Sequence, residues 1–124
     1  DQRRMFYISG SPTVELVGLV ITGGYFSSTT LRQGSGLRVS GGGLRVTGDS
    51  ATLRMTSCIV RGNHADYYGG GLYVRDSADV RLVDVTFDAN TATYYGGGLG
   101  VQGSATLRMT SCIVRGNHAD DGGG

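Results

Sequence analysis

Residues 50–66 read SATLRMTSCIVRGNHAD, and residues 104–120 repeat the same 17 letters 54 positions further on. Midway between them, residues 77–93 read SADVRLVDVTFDANTAT, a diverged copy, so the underlying period is 27. Each unit opens on a glycine triplet and an apolar-x-apolar triplet: GGGLRV from Gly41, GGGLYV from Gly69 and GGGLGV from Gly96. A further triplet, Gly122-Gly123-Gly124, starts another unit. A fixed period of this length is the signature of a solenoid, in which each unit buries its apolar face only against its neighbours.

Inside a unit the apolar residues alternate over short runs. Leu44 and Val46 flank Arg45, Leu53 and Met55 flank Arg54, and Cys58 and Val60 flank Ile59. Period-2 patterning of this kind predicts strands, three short ones per coil of about 27 residues. No 3.6-period stripe lasts two turns, and Gly-Gly-Gly interrupts every unit, which disfavours helix. The reading is all-β: a right-handed parallel β-helix of about four coils, forming one unit over residues 1–124 and rising about 4.8 Å per coil. Coils are expected at 1–40, 41–68, 69–95 and 96–121, with a further one beginning at 122–124. In the first coil, Phe6 and Ile8 take the first strand, Val14 and Leu16 the second, Leu19 and Ile21 the third. An insertion is expected over 25–40, with Ser27-Ser28-Thr29-Thr30 as an exposed loop. Either Leu37 or Leu44 starts the second coil; Leu44 is favoured because GGG precedes it.

Composition agrees with this and excludes other classes. The chain has 124 residues and 23 glycines, one proline and no tryptophan. Its 11 basic residues are all arginine, set against nine aspartates and Glu15. A net charge of +1 supplies no general drive toward nucleic acid. No apolar run approaches the roughly 18 residues of a membrane span. Residue 1 is Asp rather than Met and no basic-apolar-small leader pattern sits at the start, so the chain reads as a mature product or an excised segment.

The signature Phe87-Asp88-Ala89-Asn90 followed by Gly96-Gly97-Gly98-Leu99 resembles the FxxN and GGx-aliphatic repeats of chlamydial polymorphic outer-membrane proteins. More broadly, the repeats are similar to those of pectin-lyase-like right-handed β-helices from bacterial and algal surface proteins. The likeness covers nearly the whole chain, although two units replace the phenylalanine by Val60 and Val114. It implies an extracellular or cell-surface setting. Enzymes of the fold imply clustered carboxylates, calcium and an arginine base. Here only Asp49 beside Asp76 offers two acids in neighbouring coils, so the chain reads as non-enzymatic, with no catalytic, cofactor or metal residue.

Residues one period apart stack, so each position is judged as a column. Cys58 and Cys112 share an inward column two coils apart, about 9.6 Å, beyond the roughly 7 Å reach of a disulfide. They read as small buried hydrophobes. Asn63, Asn90 and Asn117 form a structural amide ladder. His64 and His118, with Thr91 between them, read as solvated turn residues. Arg61, Asp88 and Arg115 alternate in sign and compensate one another. Arg54, Arg81 and Arg108 point outward with one sign, and neighbours at that spacing repel by roughly 1 kcal/mol even in water; Asp79 and Asp84 are placed to offset this. That stripe suits a sulfated or uronic-acid polymer, or an acidic face of another chain; the plainer reading is a solvated face. Tyr67, Tyr68, Tyr94 and Tyr95 precede two successive glycine triplets, with Tyr73 outward on the adjacent strand. Exposed rings suit sugar faces or interchain packing, and they equally suit stiffening of a glycine-rich turn.

A solenoid needs caps, and neither end shows an amphipathic helix or a charged strand. The expectation is a structural or adhesive extracellular rod, either a length of a longer solenoid or a subunit stacking end to end into a filament. A glycan-binding module, or a non-catalytic fragment of a polysaccharide-active enzyme, is the alternative. The expected partners are the chain itself and a polysaccharide.

Overall fold

A computed structural model describes residues 6–8, 13–26, 44–46 and 51–123. The Ser27–Thr30 run, Leu37 and Asp49 lie outside these. Four coils follow one another. The first holds β1 (Phe6–Ile8), β2 (Thr13–Val17), β3 (Val20–Thr22) and β4 (Tyr25–Phe26). The second holds β5 (Leu44–Val46), β6 (Thr52–Thr56), β7 (Ile59–Arg61) and β8 (His64–Ala65). The third holds β9 (Leu72–Val74), β10 (Asp79–Val83), β11 (Thr86–Asp88) and β12 (Thr91–Ala92), and the fourth β13 (Leu99–Val101), β14 (Thr106–Thr110), β15 (Ile113–Arg115) and β16 (His118–Ala119). Equivalent strands pair in parallel into four sheets: β1-β5-β9-β13, β2-β6-β10-β14, β3-β7-β11-β15 and β4-β8-β12-β16.

The coil therefore has four strands where alternation predicts three. The fourth is two residues long, too short to show a period, and it is held by pairing across coils, as in Thr91↔His64 and Thr91↔His118. Two expectations change with it. His64 and His118 lie on strands rather than in turns. Tyr25 and Phe26 belong to the coil rather than to the insertion, because they pair with His64 and Ala65. The extra residues of the first coil fall within 27–43, between β4 and β5. Leu44 is resolved as the start of the second coil, since Leu44–Val46 pairs with both Phe6–Ile8 and Leu72–Val74.

The core follows the inward columns. Leu53, Met55, Val60, Leu72, Val74, Val80, Leu82, Val85 and Phe87 are essentially unexposed. Burial of one such side chain contributes about 1.5–3 kcal/mol. In the fourth coil the same columns are open: Val101, Met109 and Val114 are 47%, 39% and 48% exposed.

Corners repeat as strictly as strands. The residue joining the second and third strands is left-handed in every coil, at Gly18, Ser57, Asp84 and Ser111. The residue before the asparagine column is too, at Gly23, Gly62, Ala89 and Gly116. The glycine triplets combine two needs. The first member, Gly69 or Gly96, has φ +64°. The second is required by close approach instead: a Cβ on Gly97 would overlap the His118 carbonyl.

Candidate functional site

The amide column is the most completely satisfied polar feature. Asn90 is unexposed and Asn63 nearly so. The Asn63 Nδ2 donates to Asn90 Oδ1 at 2.9 Å, and Asn90 Nδ2 to Asn117 Oδ1 at 3.0 Å. Each Oδ1 also accepts the backbone N–H of the asparagine one coil back, at 3.1 Å and 2.9 Å. In the first coil Gly24 takes the asparagine position, and its N–H donates to Asn63 Oδ1 at 2.9 Å. Gly71 and Gly98 leave room for these amides; a Cβ on Gly71 would come within 3.0 Å of Asn90 Nδ2. Asparagine supplies two donors and an acceptor with two lone pairs, the set needed to stitch each turn to its neighbour. The column is thus scaffold.

The arginine column is in register, with Arg81 paired against Arg54 on one side and Arg108 on the other. Its next member is Glu15, opposite Arg54. That carboxylate was legible from the alignment of Val14 and Leu16 with Leu53 and Met55, because it stands between them. Arg81 Nε lies 3.9 Å from Asp79 Oδ2. Asp84 does not serve an arginine: it accepts the Ser57 hydroxyl at 3.1 Å. Among the described residues Arg54 and Arg108 form no ion pair, and both are exposed. In the neighbouring sheet Arg115 reaches Asp88 at 3.4 Å, which gives the alternating column one ion pair in this arrangement.

The tyrosines form two stacks. Tyr67 and Tyr94 rings lie 5.3 Å apart at 20°, and Tyr68 and Tyr95 lie 5.7 Å apart at 13°. Tyr73 departs from expectation. It stands on the outward side of β9, yet it is only 4% exposed. Its ring stacks on Tyr68 at 5.8 Å, and its hydroxyl donates to Gln102 Oε1. The cause is Gly100, its partner in the next coil, which carries no side chain and lets the ring lie flat along the sheet. Tyr94 and Tyr95 remain accessible, at 40% and 53%. Tyr68, Tyr73 and Tyr95 line one side of a shallow cleft of about 650 Å³ that Gln102 and Gly122 complete. Gln102 and Gly100 carried no sequence signal; they matter through contacts across coils.

Both cysteines are free, Cys58 buried and Cys112 partly so. The Cys58 thiol points to the carbonyls of Leu16 and Thr56, at 3.4 Å and 3.3 Å. Among the described residues no three His, Cys, Asp or Glu side chains gather where they could hold a metal ion, and no helix is long and apolar enough to cross a membrane. The surface thus offers periodic rows of like side chains, suited to contacts that repeat along an axis.

Comparison with known proteins agrees with this geometry. Neither the curated proteins nor the solved structures include a match to the chain. The model of the right-handed β-helix region matches residues 3–124. With parallel sheets stacked coil on coil and a match over nearly its whole length, the chain belongs to the right-handed β-helix family.

Proposed function

We propose that this chain is part of a structural or adhesive extracellular rod. One observation carries the reading: core, amide column and all four sheets repeat coil by coil through the described residues. Stability built from nearest-neighbour terms of this kind extends with length and suits a spacer or a presenting surface. A further coil, from the same chain or a second copy, would cover Val101, Met109 and Val114. The likeness of Phe87–Asn90 and Gly96–Leu99 to chlamydial surface repeats supports a cell-surface setting. Analytical ultracentrifugation with negative-stain imaging tests self-stacking. Concentration-dependent growth into unbranched rods of constant width is expected, and a monomer at every concentration overturns it.

A second reading rests on the registered Arg54, Arg81 and Arg108. Planar guanidinium groups bind carboxylate and sulfate by paired hydrogen bonds. If they hold an anionic polysaccharide, retention on such a column falls with salt and is lost when all three become serine. Unchanged retention removes the stripe from the account.

A further inference from the structure

Away from these faces, one hydrogen-bonded chain joins three chemically capable side chains. The Thr91 Oγ1 lies 2.8 Å from His64 Nδ1, and His64 Nε2 lies 3.2 Å from Asp66 Oδ1. The fold brings them together: β8 and β12 pair Thr91 directly against His64, and Asp66 follows His64 by two residues. Their chemistry sets the proton positions. An ionised carboxylate only accepts, so the neutral imidazole carries its hydrogen on Nε2. The Nδ1 then offers a lone pair, and the Thr91 hydroxyl donates to it. This is the order of hydroxyl, base and orienting carboxylate that activates an oxygen nucleophile, with the two ring nitrogens exchanged relative to the serine-protease arrangement.

The repeat carries a second such pair. His118 and Asp120 form the same pair at 3.0 Å on the other side of Thr91, which pairs with both histidines while its hydroxyl lies against His64. That pair is also more open: its side chains are 70% and 63% exposed, against 36% and 30% for His64 and Asp66. Partial burial strengthens the interactions of the His64 chain.

We propose that Thr91 is an acyl-acceptor site for an activated ester or thioester, with His64 as the base and Asp66 as a positioning residue. The Thr91 oxygen bonds to the acyl carbon while its proton passes to His64 Nδ1. The bond from the acyl carbon to the leaving oxygen or sulfur breaks, and the leaving group takes that proton. The product is a threonine ester, His64 is regenerated, and no oxidant or metal enters. The modification is stoichiometric, one acyl group per chain. The absence of lysine removes one competing nucleophile, and the free, partly buried Cys112 thiol is told apart from Thr91 by peptide mapping.

The test is incubation of the folded chain with p-nitrophenyl acetate, following nitrophenolate release, intact mass and peptide mapping. One acetyl group on Thr91 is expected. Thr91→Ser keeps it and Thr91→Val loses it. His64→Gln slows it about a hundredfold, the lower range for a general base, and His118→Gln leaves it unchanged. Asp66→Asn slows it and also populates both His64 tautomers, visible as shifted imidazole 15N resonances that a purely structural role would not move. Thermal melts confirm that each variant is folded. Acetyl groups spread over tyrosines, other threonines and the N-terminus, with Thr91 no faster than in urea, overturn the proposal. So does a wild-type His64 protonated on Nδ1. Neither result bears on self-stacking, which is read by sedimentation.

Discussion

Replacing Asn90 by alanine probes the amide column where it is most enclosed. The Asn90 side chain makes four hydrogen bonds. Its Nδ2 donates to the Val60 carbonyl at 2.9 Å and to Asn117 Oδ1 at 3.0 Å, and its Oδ1 accepts from Asn63 N and Asn63 Nδ2 at 3.1 Å and 2.9 Å. Truncation strands the buried Asn63 N–H outright. The Asn63 amide keeps Ile21 O and Arg61 O as acceptors, and Asn117 Oδ1 keeps the Asn90 N–H, so those losses are partial. One orphaned buried group costs about 1–3 kcal/mol, and two or three weakened bonds add about 0.5–1.5 kcal/mol each. The expected total is about 3–5 kcal/mol, read as a lowered urea midpoint by circular dichroism and as lost exchange protection at the Asn63 amide. Asn90→Asp separates polarity from shape. The introduced carboxylate would face the Val60 carbonyl and Asn117 Oδ1, so at neutral pH this variant should be less stable than Asn90→Ala. Burial raises its folded pKa above the unfolded value of about 3.9. Its stability is then greatest below that value and is lost as pH rises through the folded pKa. An Asn90→Ala cost under about 0.5 kcal/mol, within the range of surface substitutions, would refute the view that the column holds the coils together.

Two further substitutions address the backbone. Ala89 has φ 54° where the other coils carry Gly23, Gly62 and Gly116, so Ala89→Gly should stabilise by about 1 kcal/mol, raising the thermal midpoint. Gly97→Ala should destabilise by about 3 kcal/mol or more, because its Cβ would overlap the His118 carbonyl; a melt within a degree of wild type would contradict that packing.

Much of the architecture was legible because a solenoid turns a long-range problem into a periodic one. Alignment of the 17-residue copies already pairs Leu53 with Val80 and Leu107, and the structure holds that register. The asparagine column and the favoured start at Leu44 follow from the same stacking. The fourth strand was not legible, since two residues cannot display a period. Tyr73 was misjudged because strand alternation gives the side a residue faces, not what covers it; Gly100 and Tyr68 decide that. The Thr91–His64–Asp66 chain was hidden for a related reason. His-x-Asp occurs twice in the sequence, and Thr91 pairs with both histidines; only the direction of its hydroxyl, toward His64, joins it to one of them.

The sequence by itself thus determined period, fold class and inward columns, because each is a property of residues 27 apart that must lie in contact. Only the tertiary structure decided which outward side chains are accessible and which polar groups meet. Those outcomes depend on the size of a neighbour one coil away and on rotamers chosen in three dimensions, neither of which a repeat pattern encodes.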